Sequence, residues 1–167
     1  MNINKKDLEK DIEIWMNSYA KAYCHKAAEE ITRMAKNAID IFYKSYERKE
    51  PKELRLPIYY NRTDDLKNNS YSPYYHNNGR IIYGGVLISA DKMQPYKGAG
   101  ITKEEIAMSA WRQGVHGFKN GNPQDVIHTY PPIAMVQMAM YDKKFLNDLD
   151  KYAHWISSQE KYTYIKF

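Results

Sequence analysis

Cys24 and His25 are the first residues in this sequence whose types could do chemistry. A thiol beside an imidazole resembles a cysteine nucleophile with its base. Adjacent residues on a helix point about 100° apart, so these two side chains would not face each other there. The surrounding pattern is helical. We therefore interpret Cys24 as a half-buried packing residue and His25 as a surface residue.

Histidines and paired carboxylates are the next candidates, because both types bind metal ions. The five histidines are far apart and lack the short spacings of zinc sites: His25, His76, His116, His128 and His154. A site built from His116, His128 and a distant carboxylate stays open. Asp64 and Asp65 could hold Mg²⁺, but after an Arg-Thr pair they are more typical of a turn or a helix cap.

The segment Gly98-Ala-Gly100 precedes a predicted helix, as phosphate-binding loops do. It lacks the spacing and the lysine and hydroxyl residues of such loops, and no parallel βαβ unit surrounds it. From the motifs together we predict no catalytic residue, no cofactor and no metal site.

The composition excludes several other classes. With 167 residues, 43% of them hydrophobic and 27% charged, the chain can bury a core and is neither collagen-like nor disordered. The net charge of +5 is spread thinly, which argues against a dedicated DNA groove. No apolar stretch is long enough to span a bilayer, and the first fifteen residues lack the apolar core of a signal peptide. The 16 tyrosines are typical of half-buried strands and of protein interfaces.

A long helix, or two abutting ones, is predicted over residues 1–50, ending before Pro51. Apolar side chains recur there at spacings of three and four: Leu8, Ile12, Trp15, Tyr19, Tyr23, Ala27, Ile31, Met34, Ala38, Phe42 and Tyr46. From the first to the last of these an unbroken helix would be about 58 Å long. A domain of this size cannot cover that length, so we expect the helix to bend or to pack on another molecule.

A sheet is predicted over residues 54–90, with strands at 54–60, 68–75 and 80–90. Asn77-Asn78-Gly79 predicts the turn before the last of these strands, and Gly84-Gly85 predicts a bulge or a close backbone approach.

A short helix follows over 102–113, opened by a capping box at Thr102 and ended by Gly114. Residues 115–129 are predicted to be a loop, and 133–167 a helix with a closing strand at 161–167. The fold class is α+β: one domain over 1–167, with the long helix packed on a mainly antiparallel sheet.

Three segments resemble a known family in combination. They are Ala-Ile-Asp-Ile-Phe-Tyr-Lys-Ser-Tyr at 38–46, Tyr-Tyr-Asn-Arg-Thr-Asp-Asp-Leu at 59–66, and Trp-Arg-Gln-Gly-Val-His-Gly at 111–117. The chain resembles the small neck proteins of long-tailed bacteriophages, the HK97-type tail-component group of head–tail joining and tail-completion proteins. The match covers about residues 30–120, and Asp64 stands where that group often has glycine.

The resemblance implies a virion subunit, made in the host bacterial cytoplasm, that forms a ring in the neck between head and tail. The implied ring has six copies, touches portal, adaptor or tail-tube proteins, and contacts packaged DNA only nonspecifically, with no membrane partner. It also implies interface or structural-corner residues: Tyr60, Arg62, Thr63, Leu66, Trp111, His116 and Gly117. The loop at 115–129 is the expected contact element for a neighbouring ring.

Two other functions stay open. A phage-encoded monomeric protein that binds and inhibits a host factor fits a Tyr-rich surface without an active site. A metal-dependent nuclease would use Asp64, Asp65 and His116.

Overall fold

The computed structural model describes residues 5–47, 65–94, 102–116, 127–128 and 130–164. The predicted strand at 54–60 and the glycines at 98 and 100 lie outside these residues. Within them the fold is α+β, as the sequence predicts: a long N-terminal helix, an antiparallel strand pair, a short middle helix and C-terminal helices.

The first helix, α1, runs over Lys5–Glu47 without interruption and is about 64 Å long. No glycine or proline stands between its ends, so nothing in the local sequence stops it. Its first buried residue is Ser18, and continuous burial along one face begins at Ala27. The predicted long helix is therefore confirmed, and its residues 5–14 are exposed.

The C-terminal region forms two helices, α4 over Pro132–Met140 and α5 over Lys143–Tyr164. Two helices form instead of one because the Asp142 carboxylate accepts the backbone N–H of Phe145 at 3.0 Å and so caps the second helix. The closing strand predicted at 161–167 is wrong for 161–164, which continue α5, and 165–167 lie outside the described residues. The sequence after Pro132 contains no glycine or proline that would end the helix. The absence of a stop outweighs the short alternating pattern at 161–167 from which the strand was predicted.

Helix α5 packs antiparallel along α1. Near the middle of α1, Lys26 lies over the ring of Tyr152, whereas further toward its N-terminus the ring of Trp15 lies 5.8 Å from that of His154. Residue numbers decrease along α1 in the direction in which they increase along α5, so the two helices run in opposite directions. Helix α5 therefore lies along one side of α1 between Trp15 and Lys26.

Strands β1 (Tyr71–Asn77) and β2 (Ile82–Ile88) form an antiparallel hairpin that packs on α1. Gly79 adopts φ 84°, and the side chains of Asn77 and Asn78 accept backbone N–H groups of the turn, as the sequence predicts. The strand predicted at 68–75 begins later, because a short helix, α2 (Asp65–Asn69), precedes it. The register is unbroken from end to end, so Gly84-Gly85 forms no bulge.

The capping box before the middle helix, α3 (Lys103–Met108), is confirmed. Thr102 accepts the N–H of Glu105, and the Glu105 carboxylate accepts that of Thr102. The helix continues as a π-helical turn, Ser109–Gln113, and ends at Gly114 with φ 65°. The loop predicted at 115–129 is partly wrong: Val115–His116 (β3) pairs with Ile127–His128 (β4), while 117–126 and 129 lie outside the described residues.

The core joins α1 to every later helix and to the loop after β2. Its members are Ala27, Ile31, Ala35, Ala38, Ile39, Phe42, Tyr43, Leu66, Ala90, Met93, Ala107, Ala110, Trp111, Val136 and Leu149. Six of these residues are alanines, and their short side chains allow the helices to approach closely. Burial of this set supplies the main driving force for folding.

Candidate functional site

Two residues of the predicted structural corner, Leu66 and Trp111, come together through one serine. Trp111 is completely buried, and its indole N–H donates to the Ser70 hydroxyl at 2.8 Å. That hydroxyl donates in turn to the carbonyl of Leu66, at the start of α2. Both residues thus lie inside the core of the chain, where they join α2 to the π-helical turn.

The other predicted corner residues are less informative. Tyr60, Arg62, Thr63 and Gly117 lie outside the described residues. The β3–β4 register sets His116 opposite Ile127 and His128 opposite Val115, so the two histidines are not partners in that ladder.

Cys24 and His25 are separated by their surroundings, as helix geometry predicts. The Cys24 thiol donates to the carbonyl of Ile82 at 3.5 Å, and burial raises the pKa of the thiol. His25 stacks on the ring of Tyr75 with 3.7 Å between centroids. A thiol with a raised pKa and no base beside it is poorly suited to nucleophilic attack.

Asp65 has a positional role in the structure. One oxygen accepts the backbone N–H of Gln94 at 2.6 Å and the other accepts the Asn69 amide. Both contacts position Asp65 within the fold, one of them by joining α2 to the loop after β2. Across the described stretches, no three His, Cys, Asp or Glu side chains cluster in a way that could hold a metal ion.

A groove of about 320 Å³ lies between α1 and the start of α5. Its charged residues largely neutralise one another: Glu30 accepts from Arg33 at 2.9 Å and pairs with Lys26 at 3.2 Å. The hydrogen bond from Arg33 lowers the pKa of Glu30, and Glu30 raises that of Lys26. This paired arrangement leaves Glu30 ionised and without the raised pKa of a general acid.

The N-terminal arm of α1, residues 5–16, exposes apolar side chains. Leu8 and Ile12 are each 48% exposed and Met16 is 58% exposed. Spaced four residues apart, they form one stripe along the helix. We call these three residues the arm stripe. Exposed apolar patches are enriched at surfaces where proteins bind each other.

The arm is anchored where α5 reaches it. The Tyr19 hydroxyl donates to Asp150 at 2.5 Å, and its ring stacks on Trp15 with centroids 5.5 Å apart. That hydrogen bond, with burial, raises the pKa of Tyr19 to about 12. These contacts fix α5 to α1 at the base of the arm.

A second exposed surface lies on the side of the β1–β2 hairpin that faces away from α1. The register places Ser72, Tyr74 and His76 there beside Leu87, Gly85 and Tyr83. Tyr74 and Tyr83 are about two-fifths exposed, with ring centroids 5.7 Å apart, and His76 stacks on Tyr83 at 5.0 Å. We call this surface the outer hairpin face.

Comparison with known proteins adds no relative. No family model, curated protein or solved structure matches this chain. None of the described helices has both the length and the apolar character that crossing a membrane requires.

Taken together, the described residues offer two exposed surfaces, the arm stripe and the outer hairpin face. The arm stripe was partly predictable, because the length of the helical pattern exceeds what one domain can cover. The outer hairpin face was missed, although the alternation of Tyr74, His76 and Tyr83 along paired strands was a signal that could have found it.

Proposed function

We propose that this chain is a structural subunit of a tailed phage, assembled as a ring in the neck that joins head to tail. The proposal combines the resemblance in three sequence segments with one structural observation. That observation is the arm of α1, which carries Leu8, Ile12 and Met16 about half exposed beyond the core.

The arm supports an assembly role because covering its apolar side chains removes them from water, which favours association. Apolar side chains at i, i+4 and i+8 of a rigid helix form a continuous strip, the arrangement that helices use to pack on each other. A ring supplies such cover at every subunit through one repeated contact.

The chemistry of the described residues agrees with this role. The thiol of Cys24, the carboxylate of Asp65 and the groove at Glu30 each serve packing, positioning or ion pairing. We therefore propose a binding and structural function rather than an enzymatic one, with no cofactor.

Deletion of the gene from the phage that carries it tests this function. Negative-stain electron microscopy of the lysate should find DNA-filled or leaking heads apart from free tails. A plasmid copy of the gene should restore joined particles. Normally tailed particles from the deletion would end the neck proposal.

A second candidate function is inhibition of a host factor by a monomeric chain. The outer hairpin face favours it, because exposed tyrosines such as Tyr74 and Tyr83 are enriched where proteins bind each other. The two candidates differ in location: an inhibitor would be absent from purified particles, and a neck subunit would be present in a small, fixed number of copies.

A further inference from the structure

We infer that the arm stripe of one copy docks on the outer hairpin face of the next copy, so that the chain associates head to tail. The inference rests on the proposed function, because it names the two surfaces that would meet in such a ring. It also stands on four observations about those surfaces.

The first observation is that each surface is apolar and open. The arm stripe offers Leu8, Ile12 and Met16, and the outer hairpin face offers Tyr74, Tyr83 and Leu87, the last 45% exposed. Methionine sulfur and aromatic rings attract each other, and tyrosine gives a large rigid contact area.

The second observation is charge complementarity. No acidic residue stands between Ser70 and Ala90, and the hairpin carries the exposed Arg80 at its tip. On the arm, Glu9, Asp11 and Glu13 each lie three positions from a stripe residue, so carboxylates flank the stripe on the helix surface.

The lysines of the arm do not cancel this pattern. Lys6 and Lys10 are each two positions from a stripe residue, which on a helix is close to the opposite side. Lys5, three positions before Leu8, lies on the stripe side and pairs with Glu9 at 3.8 Å, whereas Asp11 and Glu13 have no ion-pair partner among the described residues. An apolar strip flanked by carboxylates therefore fits a face that has no acidic side chain and one arginine at its tip.

The third observation is size. The arm has twelve residues, about 18 Å of helix. The paired strands have seven residues each, about 23 Å. A helix lying along the hairpin would therefore bring the whole arm stripe into contact.

The fourth observation is that the arm stripe cannot dock on the outer hairpin face of its own molecule. The inner side of the hairpin packs on α1 near Cys24, about 18 Å along the helix from Ile12, and the outer face points away from that helix. The two surfaces do not overlap, so both can be occupied at once. Such a heterologous contact builds a ring or an open chain, depending on the rotation between copies.

Sedimentation velocity on the purified full chain tests the inference by mixing two variants. The arm variant is Ile12→Glu with Met16→Glu, and the hairpin variant is Tyr74→Ser with Tyr83→Ser. All four side chains are exposed, so both variants should keep the circular dichroism of the parent. Each should lose association by about tenfold or more, as expected for central interface residues.

The mixture gives the decisive result. The arm variant keeps an intact hairpin face and the hairpin variant keeps an intact arm, so an equimolar mixture should form a one-to-one dimer and nothing larger. Ile14→Glu is the matched control, because Ile14 is 41% exposed on the same arm but on its other side. Tyr141→Ser, at an 83% exposed position outside both surfaces, controls for loss of a tyrosine. Both controls should assemble like the parent.

Several results would overturn the inference. A parent chain that stays monomeric into the high micromolar range would do so, as would a hairpin variant that still self-associates, or a mixture without dimer. The phage deletion judges the neck proposal separately. Unjoined heads and tails from the deletion with a monomeric parent chain would leave the function standing without this contact, and normal particles with a self-associating chain would leave the contact standing without the function.

Discussion

The backbone of Gly84 in β2 lies directly against the carbonyl of Cys24 in α1. A Cβ atom placed on Gly84 would be 2.7 Å from the carbonyl carbon of Cys24 and closer still to its oxygen. Both neighbours are backbone atoms and cannot turn aside. The absence of a side chain at this position therefore sets how closely the hairpin approaches the helix.

Gly84→Ala should separate the hairpin from α1 and destabilise the chain by about 1–3 kcal/mol, the usual cost of overpacking. Urea denaturation followed by circular dichroism measures the loss. Gly85→Ala is the control, because a Cβ on Gly85 meets nothing within 4 Å. Equal losses in the two variants would mean that the close approach at Gly84 is not what limits the packing.

Ser70→Ala should destabilise the fold by about 1–3 kcal/mol, because it leaves the buried indole N–H of Trp111 without its acceptor. Thermal unfolding measures the change. Ser72→Ala is the control. This serine lies two residues further along the chain, on the outer hairpin face, and its replacement should change the midpoint of thermal unfolding little. A Ser70 variant as stable as the parent would show that the Trp111 hydrogen bond is dispensable.

Asp142→Ala should cost about 1 kcal/mol, because it removes the side chain that caps α5. Asp142→Asn should retain most of the stability, since an amide oxygen accepts the same N–H. The control is Asp148→Ala, which removes a carboxylate inside α5 without removing a cap. The prediction fails if Asp142→Asn is as damaging as Asp142→Ala.

Tyr19→Phe tests the anchor of the arm through its pH dependence. The hydrogen bond to Asp150 helps to raise the pKa of Tyr19 to about 12, above its ordinary value of 10.0. A raised pKa in the folded state means that the stabilisation is complete below pH 10 and is lost as the pH rises toward 12.

The stability difference between parent and Tyr19→Phe should therefore be about 0.5–1 kcal/mol near neutral pH and should shrink above pH 10. Urea midpoints at a series of pH values measure it. Tyr141→Phe, at a highly exposed tyrosine, should give no such difference. A gap that stays constant through pH 12 would contradict the assignment of this bond.

The candidate surfaces were predictable to different degrees. The arm was predictable in part, because the helical pattern of apolar residues continues over more positions than a domain of this size can cover. The outer hairpin face depends on register, because a shift by one residue would turn Tyr74 and Tyr83 toward α1. The closing strand was predicted wrongly because a short alternating segment such as 161–164 is compatible with helix when nothing ends the helix before it.

Local signals are what the sequence by itself determined: the uninterrupted α1, the Asn-Asn-Gly turn, the capping box at Thr102 and the end of the middle helix at Gly114. Each depends on residues within a few positions of one another, so composition and spacing suffice.

Tertiary structure alone decided the rest. In the folded chain Gly84, rather than Gly85, is the point of close approach to α1. Trp111 is hydrogen-bonded to Ser70, 41 positions away, and Tyr19 is hydrogen-bonded to Asp150, 131 positions away. The arm stripe remains exposed. Contacts of that sequence separation depend on how whole elements pack, and burial is a property of the assembled core rather than of any segment.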